Sequence, residues 1–354
     1  MPGSSPRPLP DQDLDHVLVH TQGLWDELRG GRVFVTGGTG FFGRWMLESF
    51  LRANDELGLG AEAIVLTRAP RRFADAAPHI AGHRAILLLG GDVASFVLPP
   101  GDFSHVLHMA TETALGTSAA ASFATAVRGT ERILDLATRR GVHKLLLTSS
   151  GAVYGPQPPD VDRLSEDYAG APPPDDASAG YAHGKRAAEF MCCASAADGG
   201  PEAKIARCFA FVGPMLPLDA NFAIGNFIRD ALFRDRIEVN GDGTPRRSYL
   251  YAADLAVWLW TILFRGESRR PYNVGSDGDL SIADLAQLVA REVRPNIPLR
   301  VAGAPVPGTT PTRYLPATGR AARELGLRGH VALGDGVRRT AAWYGGATGG
   351  RPGG

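Results

Sequence analysis

Tyr181 and Lys185 stand four apart in Tyr-Ala-His-Gly-Lys, at the start of a run that reads as a helix, so both project from one helical face. An ammonium group beside a phenol favours the phenolate and supplies an acid and base usable near neutral pH. Another hydroxyl is offered by Ser149-Ser150-Gly151-Ala152-Val153-Tyr154-Gly155, which closes a predicted strand from His143 to Thr148. A tyrosine and a lysine at this spacing also occur on ordinary exposed helices. A third stretch, Val33-Phe-Val-Thr-Gly-Gly-Thr-Gly-Phe-Phe-Gly43, decides for chemistry. Its β-branched and aromatic run ends in Gly37, Gly40 and Gly43, and an amphipathic run (Trp45, Met46, Leu47, Phe50, Leu51) follows at once. Strand, glycine turn and helix are the context of a dinucleotide fingerprint. Gly37 takes the tight turn, and Gly40 lets backbone N–H groups approach a pyrophosphate. Gly43 lets the helix sit close on the strand, with its N-terminus towards the negative charge. The first two glycines are one residue further apart than in Gly-x-Gly-x-x-Gly.

The elements that must position these residues follow in a regular rhythm. Strands are predicted at Val33–Val35, Ala63–Arg68, Ala85–Leu89, Val106–Ala110 and His143–Thr148, with a long helix over Ala119–Arg140. Strands alternating with helices imply an α/β fold with a parallel, doubly wound sheet, and such sheets bind ligands at the carboxyl ends of their strands. At the end of the second strand, where a carboxylate would bind the adenosine ribose, stand Thr67 and Arg68, with Arg71 and Arg72 close behind. Threonine and arginine suit a 2′-phosphate, which a carboxylate would repel, so NADP(H) is favoured over NAD. The alternative is that these arginines only solvate a surface loop. Asp92 and Val93, after the third strand, are placed against the adenine.

Composition narrows the field. The chain has 354 residues, 44% hydrophobic and 21% charged, enough for one large α/β domain with a lobe attached. Its 37 acidic and 37 basic residues balance, and no charge block marks a nucleic-acid or anionic-membrane partner. Cys192, Cys193 and Cys208 make no Cys-x-x-Cys pair, which argues for a reducing compartment and against structural zinc. His16 and His20 lie four apart on a predicted amphipathic N-terminal helix; with no third ligand nearby they read as surface histidines, and no metal site is expected. The start of the chain lacks a signal-peptide core, and Leu255–Phe264 is too short to span a bilayer and reads as a core helix. A cytoplasmic protein is expected. Residues 1–10, rich in proline and serine, and the glycine-rich tail 345–354 are expected to be disordered.

Together the motifs resemble the extended short-chain dehydrogenase/reductase family, in its nucleotide-sugar epimerase, dehydratase and reductase branch, from about Arg32 to Leu327. The residues that carry the resemblance are Thr36-Gly37-x-x-Gly40-x-x-Gly43, Ser150 ahead of Val153-Tyr154-Gly155, and Tyr181-x-x-x-Lys185. Arg207-x-Phe209, Val212-Gly213-Pro214, Gly241-Asp242-Gly243, Arg247-Ser248-Tyr249 and Asp254 continue it. The resemblance implies that Tyr181 removes a proton from a sugar hydroxyl while hydride passes from the same carbon to the nicotinamide. Ser150 would hydrogen-bond that oxygen, and Lys185 would bind the nicotinamide ribose. The implied NAD(P) contacts are Gly37, Thr39, Gly40, Phe41, Phe42, Gly43, Thr67, Arg68, Asp92, Val93, Met109, Ala110, Thr111, Thr148, Tyr181 and Lys185. For the nucleotide-diphosphate sugar they are Thr113, Ser150, Asn221, Arg247 and Arg313, with Arg320 a further cation within reach of the phosphates.

Departures from the family pattern bear on the reaction. Sugar 4,6-dehydratases usually carry an Asp-Glu pair after the catalytic hydroxyl residue, and decarboxylases a glutamate at the second place. Here those places are Gly151 and Ala152. The small pair suits a 4-epimerase or a 4-ketoreductase acting at C4 of an NDP-hexose. Dehydration or decarboxylation would need a non-standard acid or base, such as Asp219. Ala126 replaces the family's asparagine ahead of Gly129, which bears on one local backbone bond. Readings from other classes are a non-catalytic dinucleotide sensor, for which Ser150, Tyr181 and Lys185 have no use, and a scaffold, for which Arg247 has none. The expected organisation is an N-terminal extension (1–30), a Rossmann domain (31–210) and a substrate lobe (211–344) interleaved with the sheet. Arg247–Leu250 and Tyr272–Gly275 would return towards that sheet. Relatives commonly pair as homodimers, here through Ala119–Arg140 and Tyr181–Ala197.

Overall fold

Alternation along the strands sets the layers of the molecule. The computed structural model describes residues 7–110 and 118–346. Strands β1 (Arg32–Thr36), β2 (Glu62–Thr67), β3 (Ile86–Gly90), β4 (His105–His108), β5 (Lys144–Ser150) and β6 (Glu202–Cys208) carry side chains to opposite faces in turn. Phe34, Ile64, Leu66, Val106, Leu145 and Leu147 join one buried cluster. Val33, Val35, Ala63, Val65, Leu107 and Leu146 join another on the opposite face. Both faces are therefore covered by helices, as a parallel sheet requires.

The α-helices as far as Arg265 are, in chain order, α1 (Asp11–His20), α2 (Phe41–Glu56), α3 (Pro70–Ala76), α4 (Pro78–Ala81), α5 (Ala119–Arg139), α6 (Gly180–Ala197), α7 (Ala223–Phe233), which packs on the strand Ile237–Val239 and on later helices, and α8 (Ala252–Arg265). α5 and α6 lie over the first cluster, with Ile133, Leu136, Ala188 and Cys192 buried in it. α1, α2 and α8 lie over the second. Between α6 and the end of the chain come short strands β7 (Phe211–Val212), β8 (Ile237–Val239), β9 (Arg246–Arg247), β10 (Leu250–Tyr251), β11 (Pro271–Val274), β12 (Leu280–Ser281), β13 (Leu299–Val301) and β14 (Arg313–Tyr314). Helices α9 (Ile282–Val293), α10 (Gly319–Leu325) and α11 (Leu333–Gly345) complete the described chain. Among the described residues, no helix is long and apolar enough to cross a membrane.

The main sheet has seven strands in the order β11-β6-β5-β4-β1-β2-β3, parallel throughout. The expected α/β doubly wound sheet is the observed one, with strand ends shifted by a residue or two. The strand order reverses between β1 and β4, which opens a crevice above their carboxyl ends. Tyr272 does return to the sheet, in β11 against β6. Arg247–Leu250 does not. Arg247 lies in a separate three-stranded sheet, β12-β9-β14, and Leu250 pairs with Phe211.

Helix α8 is the core helix expected from Leu255–Phe264; every residue from Ala252 to Phe264 is buried. Its Asp254 is fully buried and accepts hydrogen bonds from the backbone N–H groups of His330 (2.9 Å) and Val331 (3.0 Å). His16 Nε2 meets the other carboxylate oxygen at 2.8 Å. The expectation of free surface histidines is thus corrected for His16, whose role is to tie α1 to the core, while His20 stacks on His330 with ring centroids 4.0 Å apart. The expectation of a disordered start is corrected for residues 7–10. Leu9 is buried and its N–H reaches Glu48 Oε2 (2.7 Å), while Trp343 Nε1 donates to the Pro8 carbonyl (3.1 Å).

Replacing Asp254 by Ala strands two partly buried N–H donors and unties α1. The expected loss is on the order of 3 kcal/mol, read as a lower urea midpoint at unchanged slope. An unchanged midpoint would contradict this account of α1.

Candidate active site

A cavity of about 1410 Å³ opens where the strand order reverses. Its floor is the glycine turn. Gly37 has φ +71°, and a Cβ there would lie 2.5 Å from the Met109 carbonyl carbon and 2.6 Å from Ala110 N. Only glycine passes beneath the end of β4 in this conformation. Gly40 is the N-cap of α2, and Thr39, Gly40, Phe41 and Phe42 line the cavity, so the first turn of the helix presents its dipole to it. Gly43 faces away from the cavity. A Cβ there would come 2.2 Å from the Gly37 carbonyl oxygen, so Gly43 sets the close approach of α2 to the turn. Met109 and Ala110 form the wall above. They are held by Thr36, whose hydroxyl accepts from Ala110 N (3.1 Å) and meets His108 Nδ1 (2.9 Å). Burial, aided by the charge on Lys185, pushes the His108 pKa down to about 3, so this imidazole is a neutral strut.

Thr67, Arg68, Asp92 and Val93 line one end of the cavity, together with Arg72 and Arg44. Sequence reasoning passed over Arg44. It lies in the first turns of α2, only 4% exposed, and its Nε and Nη2 have no hydrogen-bond partner. Glu48 Oε1 is 3.7 Å from Nε. A buried, under-satisfied guanidinium beside a helix N-terminus fits an anionic dinucleotide. Bound there, NAD(P) would supply a hydride acceptor and donor.

The other end gathers the hydroxyl chemistry. Lys185 is 3% exposed, and its Nζ donates to the Thr148 carbonyl at 2.8 Å. Its desolvation lowers the ammonium pKa to about 8. Ser150, at the end of β5, accepts from Ala152 N at 3.1 Å and so caps the tight turn Gly151–Tyr154. Tyr181, half-buried in the first turn of α6, lines the same space, as do Thr148, Asn221 and Arg247. The end of β5 is fixed from behind. Ser149 Oγ and Arg207 both bond Glu189, and Arg207 Nη1 donates to Tyr154 Oη (2.9 Å), which donates to Asn273 (2.7 Å).

Not every expected residue is brought to the cavity. Arg313 pairs with Asp162 at 2.8 Å, and Arg320 is buried against Asp167 and the Pro271 carbonyl; neither lines the cavity. Thr111 and Thr113 lie outside the described residues. Asp219 does not line it either, and among the described residues the only carboxylate that does is Asp92. The residue that lines it instead of Arg313 is Tyr314. In β14 the two are successive, so they face opposite ways; a strand assignment there would have pointed to the tyrosine. Its hydroxyl is hydrogen-bonded to Ser150, and burial raises its pKa. Its ring packs on Phe209 (centroids 4.7 Å apart), with the Arg247 guanidinium carbon 5.8 Å from its centroid.

A glycine-floored dinucleotide crevice ending at a Ser-Tyr-Lys group defines an oxidoreductase-type site of the extended short-chain dehydrogenase/reductase class. Residues 33–275 match the model of the NAD dependent epimerase/dehydratase family, and the chain belongs to that family. It is 29% identical over 308 residues to UDP-glucuronic acid decarboxylase 6 of Arabidopsis thaliana, covering 86% of each chain. Among solved structures it resembles DesIV, a dTDP-glucose 4,6-dehydratase from Streptomyces venezuelae solved with NAD and TYD. The TM-score is 0.73 at 25% identity, over 88% of this chain and 96% of that one. The fold is shared with RMD from Pseudomonas aeruginosa, solved with NADPH, at a TM-score of 0.70 and 22% identity over 89% and 99% of the two chains. A nicotinamide dinucleotide is thus the cofactor type, and the protein is an enzyme.

Lys185 carries its charge below about pH 8 and loses it above. If that charge holds Tyr181 ready, kcat/KM, which reports the free enzyme, declines as pH rises through about 8. A profile that stays level well above that pH would contradict the role of the ammonium.

Proposed function

We propose that the protein is an NAD(P)-dependent decarboxylase of a nucleotide-diphosphate hexuronic acid, acting through oxidation at C4. The observation that carries this reading is the chemistry of the cavity wall. Its hydroxyl end offers Ser150, Tyr181, Tyr314, Lys185 and Arg247, and among the described residues no carboxylate besides Asp92 lines the cavity. Elimination of water across C5 and C6 ordinarily uses a carboxylic acid and a carboxylate next to the catalytic hydroxyl residue, and Gly151 and Ala152 supply neither, so the 4,6-dehydratase reading ranks below this one. A carboxylate β to a C4 ketone leaves as CO2 without an enzymic carboxylic acid, because the departing electron pair is taken up by the ketone. Cationic Arg247 and Lys185 also tolerate an anionic sugar where a carboxylate-lined site would repel it. The similarity to a UDP-glucuronic acid decarboxylase along 86% of the chain supports the same reaction.

In this scheme Tyr181 takes the proton of the C4 hydroxyl, Ser150 holds the oxygen, and Tyr181 returns the proton when C4 is restored. Lys185 favours the phenolate by its charge and orients the cofactor ribose. Arg247 meets the diphosphate, for which a planar guanidinium is suited. Thr67, Arg68, Arg72 and the buried Arg44 support NADP(H) over NAD. A second reading, 4-epimerase or 4-ketoreductase, draws on Gly151 and Ala152, whose small side chains leave room for a ketosugar to turn over. For assembly, we infer a dimer through α5 and α6, which leave Phe123 (41%) and Phe190 (74%) exposed.

The test is mass analysis of the products from UDP-glucuronic acid, UDP-glucose and dTDP-glucose with either cofactor. Loss of the mass of CO2 from the glucuronic acid supports the proposal. An isomer of unchanged mass, reduction of a ketosugar, or loss of water would replace it by the corresponding alternative. Arg247→Ala should weaken nucleotide-sugar binding on the order of tenfold to a hundredfold and leave cofactor affinity unchanged, measured by calorimetry. Equal affinity in the variant would remove Arg247 from the substrate site.

A further inference from the structure

The position that most departs from the family pattern is filled by a residue from far along the chain. Gly151 stands where dehydratases place an aspartate. A Cβ built on it would lie 2.6 Å from Tyr314 Oη and 2.7 Å from the ring of Phe209. No side chain fits there while the phenol is present. The glycine is therefore not an open space but a seat for Tyr314. The ring is clamped between Phe209 and Arg247, and the hydroxyl bonds Ser150. β14 delivers Tyr314 directly opposite Arg247 of β9, so one small sheet supplies both the phenol and the cation. Tyr314 lines the cavity beside Tyr181.

We infer that Tyr314 is the general acid that protonates C5 of the sugar after CO2 has left. This rests on the decarboxylase reading. Loss of CO2 moves the C5–C6 bonding pair into an enolate over C5, C4 and the C4 oxygen. The Tyr314 O–H proton passes to C5, forming the new C–H bond, and the O–H pair stays on the phenol oxygen. The phenolate regains its proton from water through the Ser150 hydroxyl. One solvent proton is consumed per CO2 released, and Tyr181 is left free to serve the C4 oxygen. Burial holds the Tyr314 pKa above its ordinary value, so the donor is fully protonated at neutral pH. The enolate is far more basic than the phenol, so the transfer runs downhill.

The test uses Tyr314→Phe, which removes the hydroxyl and keeps the ring that packs on Phe209. Wild type and variant are run with UDP-glucuronic acid in deuterated water, and the C5 deuterium of the product is located by NMR. Wild type should place one deuterium on a single face of C5. The variant should lose on the order of 10²-fold in kcat and place deuterium on both faces, with KM and melting temperature little changed. A variant that keeps the wild-type rate overturns the assignment. So does a slow variant that still labels one face, because Tyr314 would then only position Ser150. A wild-type protein that turns over another nucleotide sugar but releases no CO2 from this one overturns the decarboxylase reading, and this inference with it.

Discussion

The bond from Lys185 Nζ to the Thr148 carbonyl is the constraint on which the site depends. It joins the first turns of α6 to the last residues of β5, so that Tyr181 and Ser150 line the same cavity. An ammonium only 3% exposed is costly to bury, and nearly every neighbouring feature lessens that cost or uses it. Thr148 supplies an acceptor, Glu189 lies behind as an opposite charge, and the same desolvation makes the amine's charge sensitive to pH. The sheet makes this geometry possible. β5 lies beside β4, next to the crevice between β4 and β1, and one continuous cavity runs from Arg44 to Tyr181.

The catalytic chemistry is distributed differently from the family pattern that the sequence resembles. Where relatives of the dehydratase type carry carboxylic acids directly after the catalytic hydroxyl residue, this chain carries Gly151 and Ala152, and it fills the vacated volume with Tyr314. Two phenols, one serine hydroxyl and two cations then line that end of the cavity. Such a set can move protons and stabilise negative charge, and among the described residues it does so without a carboxylate at the hydroxyl end. The absence of a carboxylate and the presence of the second phenol are linked by sterics, since any Cβ at position 151 collides with Tyr314 Oη and the Phe209 ring.

Much of this was legible in the sequence because it rests on local signals. The glycine turn, the period of the strands and the four-residue spacing of Tyr181 and Lys185 each encode geometry within a few residues. What was not legible depends on long-range contact. Tyr314 reaches Ser150 across nearly half the chain, through a two-residue strand with no periodicity to detect. Its neighbour Arg313 drew attention by its charge and faces outward to Asp162. Arg44 sits in an amphipathic helix where an arginine ordinarily faces water; only the packed fold shows it buried against the cavity. His16 was read as a surface residue for the same reason, its partner Asp254 being far away in sequence.

In the proposed reaction Tyr181, readied by Lys185, begins by taking a proton from a sugar hydroxyl as the sugar is oxidised. Stopped-flow absorbance at 340 nm, in a single turnover with saturating oxidised cofactor and nucleotide sugar, tests it most directly. The account predicts a transient of reduced nicotinamide in the wild type. In Tyr181→Phe, with cofactor binding intact, that transient should be slowed on the order of 10²- to 10⁴-fold. A variant that forms it at the wild-type rate would contradict the account, because some other group would then be removing the proton.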